Sequence, residues 1–483
     1  MRRHARARSR VRRRPVAVAL VTLILLLVAC TDGGDGTSAT GPLDAETASP
    51  QAPSIPRPEV PQDQGDEDED QAAPAPQIRV GEAVLVHLEG PVTSADATDV
   101  VIRTEQGLEV DRFRLPGAVE VHGGNVGSWA LIVTAAGQWA RYSASTGQLS
   151  LLTFDGDPPV GAPELQGRVA LWDDPQRPWL LRLDTGRATS LRQQVGEGGA
   201  EIGATSDGSH VLVRSERDHL ISTEDGGVRA LPVQSTVALA PDAIVSTAPG
   251  VEGADVYLEA LDGSGRRIVG TVPAIGAPVV LADGRVLVLG SSSAVVGTDG
   301  TVTELPAAPG ATAPVLAADG VRVLAASPDR LYLADPDAGT VTPVPDSAGH
   351  VVHRAGPQTV FWTHSSDSGS PGVFVVDPST AQVTRLLEDQ ATGEITAMSA
   401  DGLHVVLRIG EGGDAAALVG ADGEVRVLRE GAESVRAALH PDGVTVGLGV
   451  LDSFARSLLI GPADGPEVEI PTGRSPVWVL TGR

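Results

Sequence analysis

The chain has 483 residues, about three ordinary domain lengths, although one large β architecture can also use that length. Gly (57) and Pro (36) are abundant, aromatics make up only 3%, and apolar residues 41%; this excludes a helical bundle or coiled coil as well as wholesale disorder. The formal net charge is −26, and all 36 basic residues are Arg; such a chain repels phosphate backbones, so nucleic-acid binding is excluded.

Residues 1–29 carry eight Arg and no acid. The arginines end at Arg14, and after Pro15 comes the apolar run VAVALVTLILLLVA. A basic flank before an apolar core this short predicts a secretory signal, not a transmembrane helix. The run closes on Leu27-Val28-Ala29-Cys30, and Cys30 is the sole cysteine. A small residue at Ala29 suits a narrow peptidase site, and a thiolate is the nucleophile that would accept a lipid. The Leu-x-Ala-Cys run resembles the box of bacterial lipoproteins, and that resemblance implies cleavage between Ala29 and Cys30 with lipidation of Cys30. Two or three acyl chains, worth roughly 0.8 kcal/mol per buried CH₂, would anchor the chain stably. An Arg13-Arg14 pair leaves the export route open. Without residues 1–29 the chain holds 28 Arg against 62 acids, a net of −34. With Cys30 committed to lipid, no internal disulfide is expected, and stability must come from packing.

The next segment, 30–77, is expected to be a disordered tether. Its residues 31–76 hold eight Pro, eleven acids and the single base Arg57, including the run Asp66-Glu67-Asp68-Glu69-Asp70. Such a composition cannot bury enough apolar surface to fold, and charge repulsion extends it. A cation site on the acidic run lacks the turn glycine and the alternate spacing that Ca²⁺ loops use.

From 78 to 483 the sequence predicts an all-β domain. Short Val/Leu/Ile runs alternate with Asp-Gly and Pro-Asp turns, in units such as 202–232, 278–306, 315–345 and 395–430. Each unit reads strand, Asp-Gly turn, strand, strand, turn, strand. Two-residue hairpins with positive φ at Asp and Gly would explain the recurrence. The turn aspartates Asp207, Asp242, Asp283, Asp319, Asp401 and Asp442 advance by 35, 41, 36, 82 and 41, the 82 spanning a degenerate unit at 349–388. A four-stranded unit of about 40 residues is the blade of a β-propeller. Some eight to ten units are expected, as one large ring or two smaller ones. The first unit is one strand short, and the terminal run Ser475-Pro476-Val477-Trp478-Val479-Leu480 would complete it and close the circle.

The order strand–SxDG–strand–strand–turn–strand, with Ser at Ser206 or Ser399 before Asp207 or Asp401, resembles the WD40-like repeats of the TolB type. The Leu-x-Ala-Cys box resembles that of bacterial lipoproteins, and the Lys-free, Ala/Val/Gly-rich composition resembles high-GC bacteria such as actinobacteria. The resemblance implies a propeller held by a lipid anchor on the outer face of the cell membrane. Trp172-Asp173 is an isolated match to the eukaryotic Trp-Asp signature, and the six Trp do not repeat.

No nucleophile elbow, P-loop or dinucleotide fingerprint stands in a strand–helix context, so no catalytic residue and no cofactor are assigned. Carboxylate pairs for glycoside cleavage are conceivable among the many acids, but turn duty accounts for most of them. His350, His353 and His364 share the degenerate unit, and His353 with His364 are the candidate metal ligands against a structural reading. By subtraction the propeller is a binding or scaffold module of the cell envelope. A hydrolase or lyase acting on cell-wall glycan or peptide is the alternative, and metal delivery a weaker one. The irregular inserts 90–98, 251–254 and 363–372 are the expected contact loops. Acids clustered with His or Arg in the channel mouth would favour the enzyme; small, smooth walls would favour binding.

Overall fold

The computed structural model describes residues 81–481 except 91–97, 124–127, 175–177, 196–200, 206, 215–217, 232–235, 318, 356–360, 366–371, 378–379, 387–393, 400–402, 410–414, 432–433, 453–454 and 463–467. The expected signal, lipobox and tether, with Ala29 and Cys30, lie outside these residues. The described residues form ten antiparallel sheets of four strands each. They are taken below as blade 1 (83–114), 2 (118–151), 3 (164–190), 4 (201–230), 5 (236–272), 6 (277–305), 7 (312–343), 8 (350–385), 9 (394–429) and 10 (434–471). The one helix among them is the single turn Arg192–Val195. The fold is a β-propeller.

Blade 1 supplies only three strands of its own. Its fourth is the C-terminal strand Gly473–Leu480, which pairs antiparallel with Ala83–Glu89, Val84 opposite Val479 and Val86 opposite Val477. The expected closure by the last strand is thus observed, two residues longer than the sequence suggests.

The strands read as unbroken apolar runs because both faces are buried. In Val286–Leu289, Val286 and Val288 pack toward blade 5, whereas Leu287 and Leu289 pack toward blade 7. A period of two therefore splits each central strand between two neighbours. Ten such clusters occur, each joining one blade to the next. The last of them joins blade 10 to blade 1 through Leu85, Leu458, Ile460 and Trp478. Each blade is thus packed against the next in sequence, and blade 10 against blade 1. Outermost strands carry less apolar burden, as in Val302–Leu305, where only Leu305 is buried.

The turns differ from the expected two-residue hairpins. At 281–285 the Gly284 N–H donates to the Leu281 carbonyl and the Leu281 N–H to the Arg285 carbonyl. This is a type I turn followed by a left-handed glycine, with Gly284 at φ 84°. Only the glycine needs positive φ. The aspartate stays in an ordinary conformation and its carboxylate accepts the N–H two residues on: Asp207 from Ser209 (2.9 Å), Asp225 from Gly227 (2.9 Å), Asp283 from Arg285 (3.1 Å), Asp299 from Thr301 (3.0 Å) and Asp422 from Glu424 (3.0 Å). This side-chain cap, which Asn or Asp alone makes well, explains why the repeat is written in Asp-Gly pairs.

Candidate functional site

The first strands of neighbouring blades lie against one another, and Gly473–Leu480 runs between those of blades 10 and 2. It fits there because the facing positions are small. A Cβ on Gly123 would stand 1.9 Å from Val477 Cγ1, one on Gly447 3.0 Å from Leu85 Cδ1, and one on Gly449 3.1 Å from Pro476 Cδ. The strand also takes a left-handed residue at Ser475 (φ 49°), just after Arg474, and another at Thr472 (φ 65°) just before it. Non-glycine residues hold such angles only where the surroundings impose them.

A pocket of about 480 Å³ opens beside this strand, walled by blades 1, 2, 9 and 10 and by the segment entering blade 3. Most of its wall is Ala, Val, Leu, Ile, Pro and Gly. The polar contributors are His122, Arg408, Arg436, Ser475 and Trp478; no Asp or Glu lines it among the described residues. A smaller recess of about 170 Å³ adjoins it through Arg436 and Ser475 and adds Arg474.

Arg436, Arg474 and His122 have defined neighbours. Arg436 of blade 10 ion-pairs with Glu120 of blade 2, reaching across the closing strand. Arg474 is buried, and its Nη1 and Nη2 donate to the carbonyls of Gly90 (3.0 Å) and Ala118 (2.6 Å). His122 Nε2 stands 3.7 Å from Glu120 Oε1, with its ring 5.6 Å from that of Trp139. Burial lowers the His122 pKa below the usual imidazole range, against the pull of Glu120 and with the push of Arg436.

Trp478 is 5% exposed and meets the His440 ring edge-on at 4.8 Å. Its indole N–H finds no acceptor among the described atoms. The other buried indoles near the pocket behave differently: Trp139 donates to the Pro159 carbonyl (3.1 Å) and Trp172 to that of Gly161 (3.3 Å). Buried Trp N–H groups ordinarily find a partner, and leaving one unmet costs roughly 1–3 kcal/mol.

A second cluster sits where blades 10 and 1 meet. His440 Nδ1 lies 3.0 Å from Asp442 Oδ2, and Nε2 lies 3.8 Å from Glu105 Oε2 on a blade 1 turn. One imidazole and two carboxylates are a donor set that divalent transition metals accept. The turn already employs these groups, however. Asp442 accepts the N–H of Val444 (2.8 Å) and Thr445 (2.9 Å) and the Thr445 hydroxyl (2.8 Å), and His440 Nδ1 receives the Asp442 N–H (3.1 Å).

The residues singled out from sequence fall elsewhere. His350 is buried in blade 8 with its ring 4.3 Å from Phe374. His364 pairs with Val351 and Val373, while His353 falls in the bulge between Val352 and Arg354. The side chains of His353 and His364 lie outside the described residues. Of the expected contact loops, 91–97 and 366–371 also lie outside them. The insert at 251–254 carries a fully exposed Val251 on blade 5 and does not line the pocket. Trp139, Trp172, Trp179 and Trp478 pack between blades.

No family model matches the chain, and no curated protein matches it. Among solved structures it is similar to a eukaryotic initiation factor, at 12% identity and a TM-score of 0.49, covering 83% of this chain and 99% of that one. It is also similar to TolB from Acinetobacter baumannii, at 15% identity and a TM-score of 0.27, covering 66% and 81%. A third likeness is to AztD from Citrobacter koseri, at 12% identity and a TM-score of 0.33, covering 63% and 94%. At these values the assignment of the fold rests on the ten paired sheets themselves.

Proposed function

We propose that this chain is a lipid-anchored, extracytoplasmic binding module that presents its β-propeller to a partner in the bacterial cell envelope. The observation that carries the binding half is the wall of the pocket beside the closing strand. Its surface is aliphatic, two arginines supply its charge, and no carboxylate pair or activated nucleophile converges on it among the described residues. Such a wall can hold and orient a ligand, but general acid–base cleavage needs two carboxyls facing one bond. The turn aspartates Asp207, Asp225, Asp283, Asp299 and Asp422 are occupied in capping N–H groups and do not line the pocket.

The anchoring half is supported by residues 1–77. A basic flank, an apolar run, Ala29 before a sole Cys30 and an acidic Pro-rich spacer form one consistent export and tethering device. The spacer would hold a strongly acidic domain off an anionic membrane surface.

Crosslinked capture of the intact chain from its own membranes tests the reading. One reproducible envelope partner is expected, together with transfer of the chain to the soluble fraction and loss of fatty-acid labelling in Cys30→Ser. Glycan or peptide turnover by the purified chain, with no partner recovered, would overturn it.

A further inference from the structure

We propose that the pocket beside the closing strand is an oxyanion site, taking the carboxylate or phosphate group of a ligand between Arg408 and Arg436 with the Trp478 indole as an added donor. The inference rests on the binding-module reading and narrows it to a ligand chemistry.

Charge distribution is the first support. The chain as a whole is acidic, with 62 Asp and Glu against 36 Arg, yet this pocket is lined by two arginines and no acid among the described residues. Arg436 is paired with Glu120 just outside the lining, yet the charged groups that line the pocket are basic, the reverse of what composition alone would place there. The chain's own field disfavours scattered anion binding, so any anion it does hold is held by local contacts.

Geometry is the second. Glu120 engages Arg436 from blade 2, which fixes the guanidinium while leaving it half-exposed at the pocket. An arginine held in this way presents a planar fork matched to a carboxylate or phosphate. Aliphatic walls lower the local dielectric and strengthen each such contact.

The third support is the indole. Trp139 and Trp172, equally buried, satisfy their N–H groups within the protein. Trp478 does not, and it lines the pocket that also holds Arg408 and Arg436. That donor is covered in this arrangement, so a ligand oxygen meets it by displacing the side chains that cover it.

The full chain in detergent micelles is titrated calorimetrically with glucuronate and with glycerol phosphate, and in parallel with glucose and glycerol. Binding of at least one anion, about tenfold or more tighter than its neutral counterpart, is expected, and the arm that binds tells carboxylate from phosphate. Arg408→Gln with Arg436→Gln should weaken it by about tenfold or more and Trp478→Phe by several-fold. Arg187→Gln with Arg429→Gln, which removes the same charge from exposed outer positions, should leave it unchanged. If the double pocket variant melts early, Arg408→Gln is compared with Arg408→Lys under the same titration. Equal affinity for neutral and anionic probes, no binding of either anion, or folded pocket variants that bind as wild type would each overturn the inference. Retention of the crosslinked envelope partner by a chain that binds no anion would overturn it while leaving the binding module standing; loss of both would sink both.

Discussion

Gly123→Ala is the sharpest probe of how the circuit closes. Gly123 has no left-handed φ, so alanine suits its backbone, and elsewhere the change would stabilise by about 0.4–1 kcal/mol through the unfolded chain. Here the added Cβ would stand 1.9 Å from Val477 Cγ1 and 3.3 Å from Val477 Cβ. Valine is branched at that carbon and has few rotamers with which to yield. The closing strand must shift instead, at a cost of about 1–3 kcal/mol. Val477→Ala alone trims a half-buried side chain and should cost about 1 kcal/mol. In that background the obstacle is gone, so Gly123→Ala should become neutral or stabilising. The coupling between the two sites should be about 2 kcal/mol, read from urea unfolding followed by tryptophan fluorescence and circular dichroism together. Effects that add to within about 0.5 kcal/mol would show that the C-terminal strand does not lie against blade 2, and the closure described above would be wrong.

Other outcomes follow from the same contacts. His87 is buried beside Arg103 and Glu89, and desolvation pushes its pKa down to about 4. The native state holds it neutral while the unfolded chain takes up a proton near 6.5, so its contribution is fully present above pH 6.5 and is lost as pH falls toward 4. The loss is about 3 kcal/mol, and His87→Gln should flatten the urea midpoint over that window; an unchanged slope would refute the assignment. Ending the chain after Thr472 strips strand Ala83–Glu89 of its partner and removes Trp478 from the cluster at blades 10 and 1, so the chain should lose its cooperative transition and aggregate; a truncated chain that melts as before would count against cyclic packing. Asp283→Ala should cost about 1 kcal/mol by leaving the Arg285 N–H without its cap, and Asp283→Asn less, because the amide oxygen still accepts; equal losses in the two variants would mean the carboxylate charge, not the cap, is what matters.

The blades were legible because their turns are chemical statements. Each Asp-Gly pair specifies a carboxylate cap and a left-handed glycine, and the spacing between pairs follows from strand length. Asp225, Asp299 and Asp422 close the third-to-fourth strand turns of blades 4, 6 and 9 as their positions predict. The type of turn was not legible, since an Asp at positive φ and an Asp capping the next N–H but one leave the same letters. Blade 8 lacks the pair and was found only because its neighbours stand two periods apart.

The pocket was hidden for a different reason. Arg436 and Glu120 are 316 residues apart and meet only because the last strand joins the first blade. No local pattern marks that meeting, and all first strands resemble one another because all face the same kind of neighbour. One signal was present in Val446-Gly447-Leu448-Gly449-Val450. Two glycines at alternate positions in a strand leave one face bare, and a bare face inside a packed sheet implies that another backbone presses against it. The backbone that does so belongs to the closing strand, with its Pro476, and Leu85 of the strand paired with it, where the missing side chains would be. The strand that completes blade 1 is therefore also the wall that brings Ser475 and Trp478 to the arginines, so the pocket cannot exist before the circuit is closed. Ligand binding and closure should then be linked: any anion that binds the pocket must raise the unfolding midpoint, by a stabilisation that grows with the logarithm of one plus the ratio of ligand concentration to Kd. A ligand that bound tightly without stabilising the chain would have to be bound somewhere else.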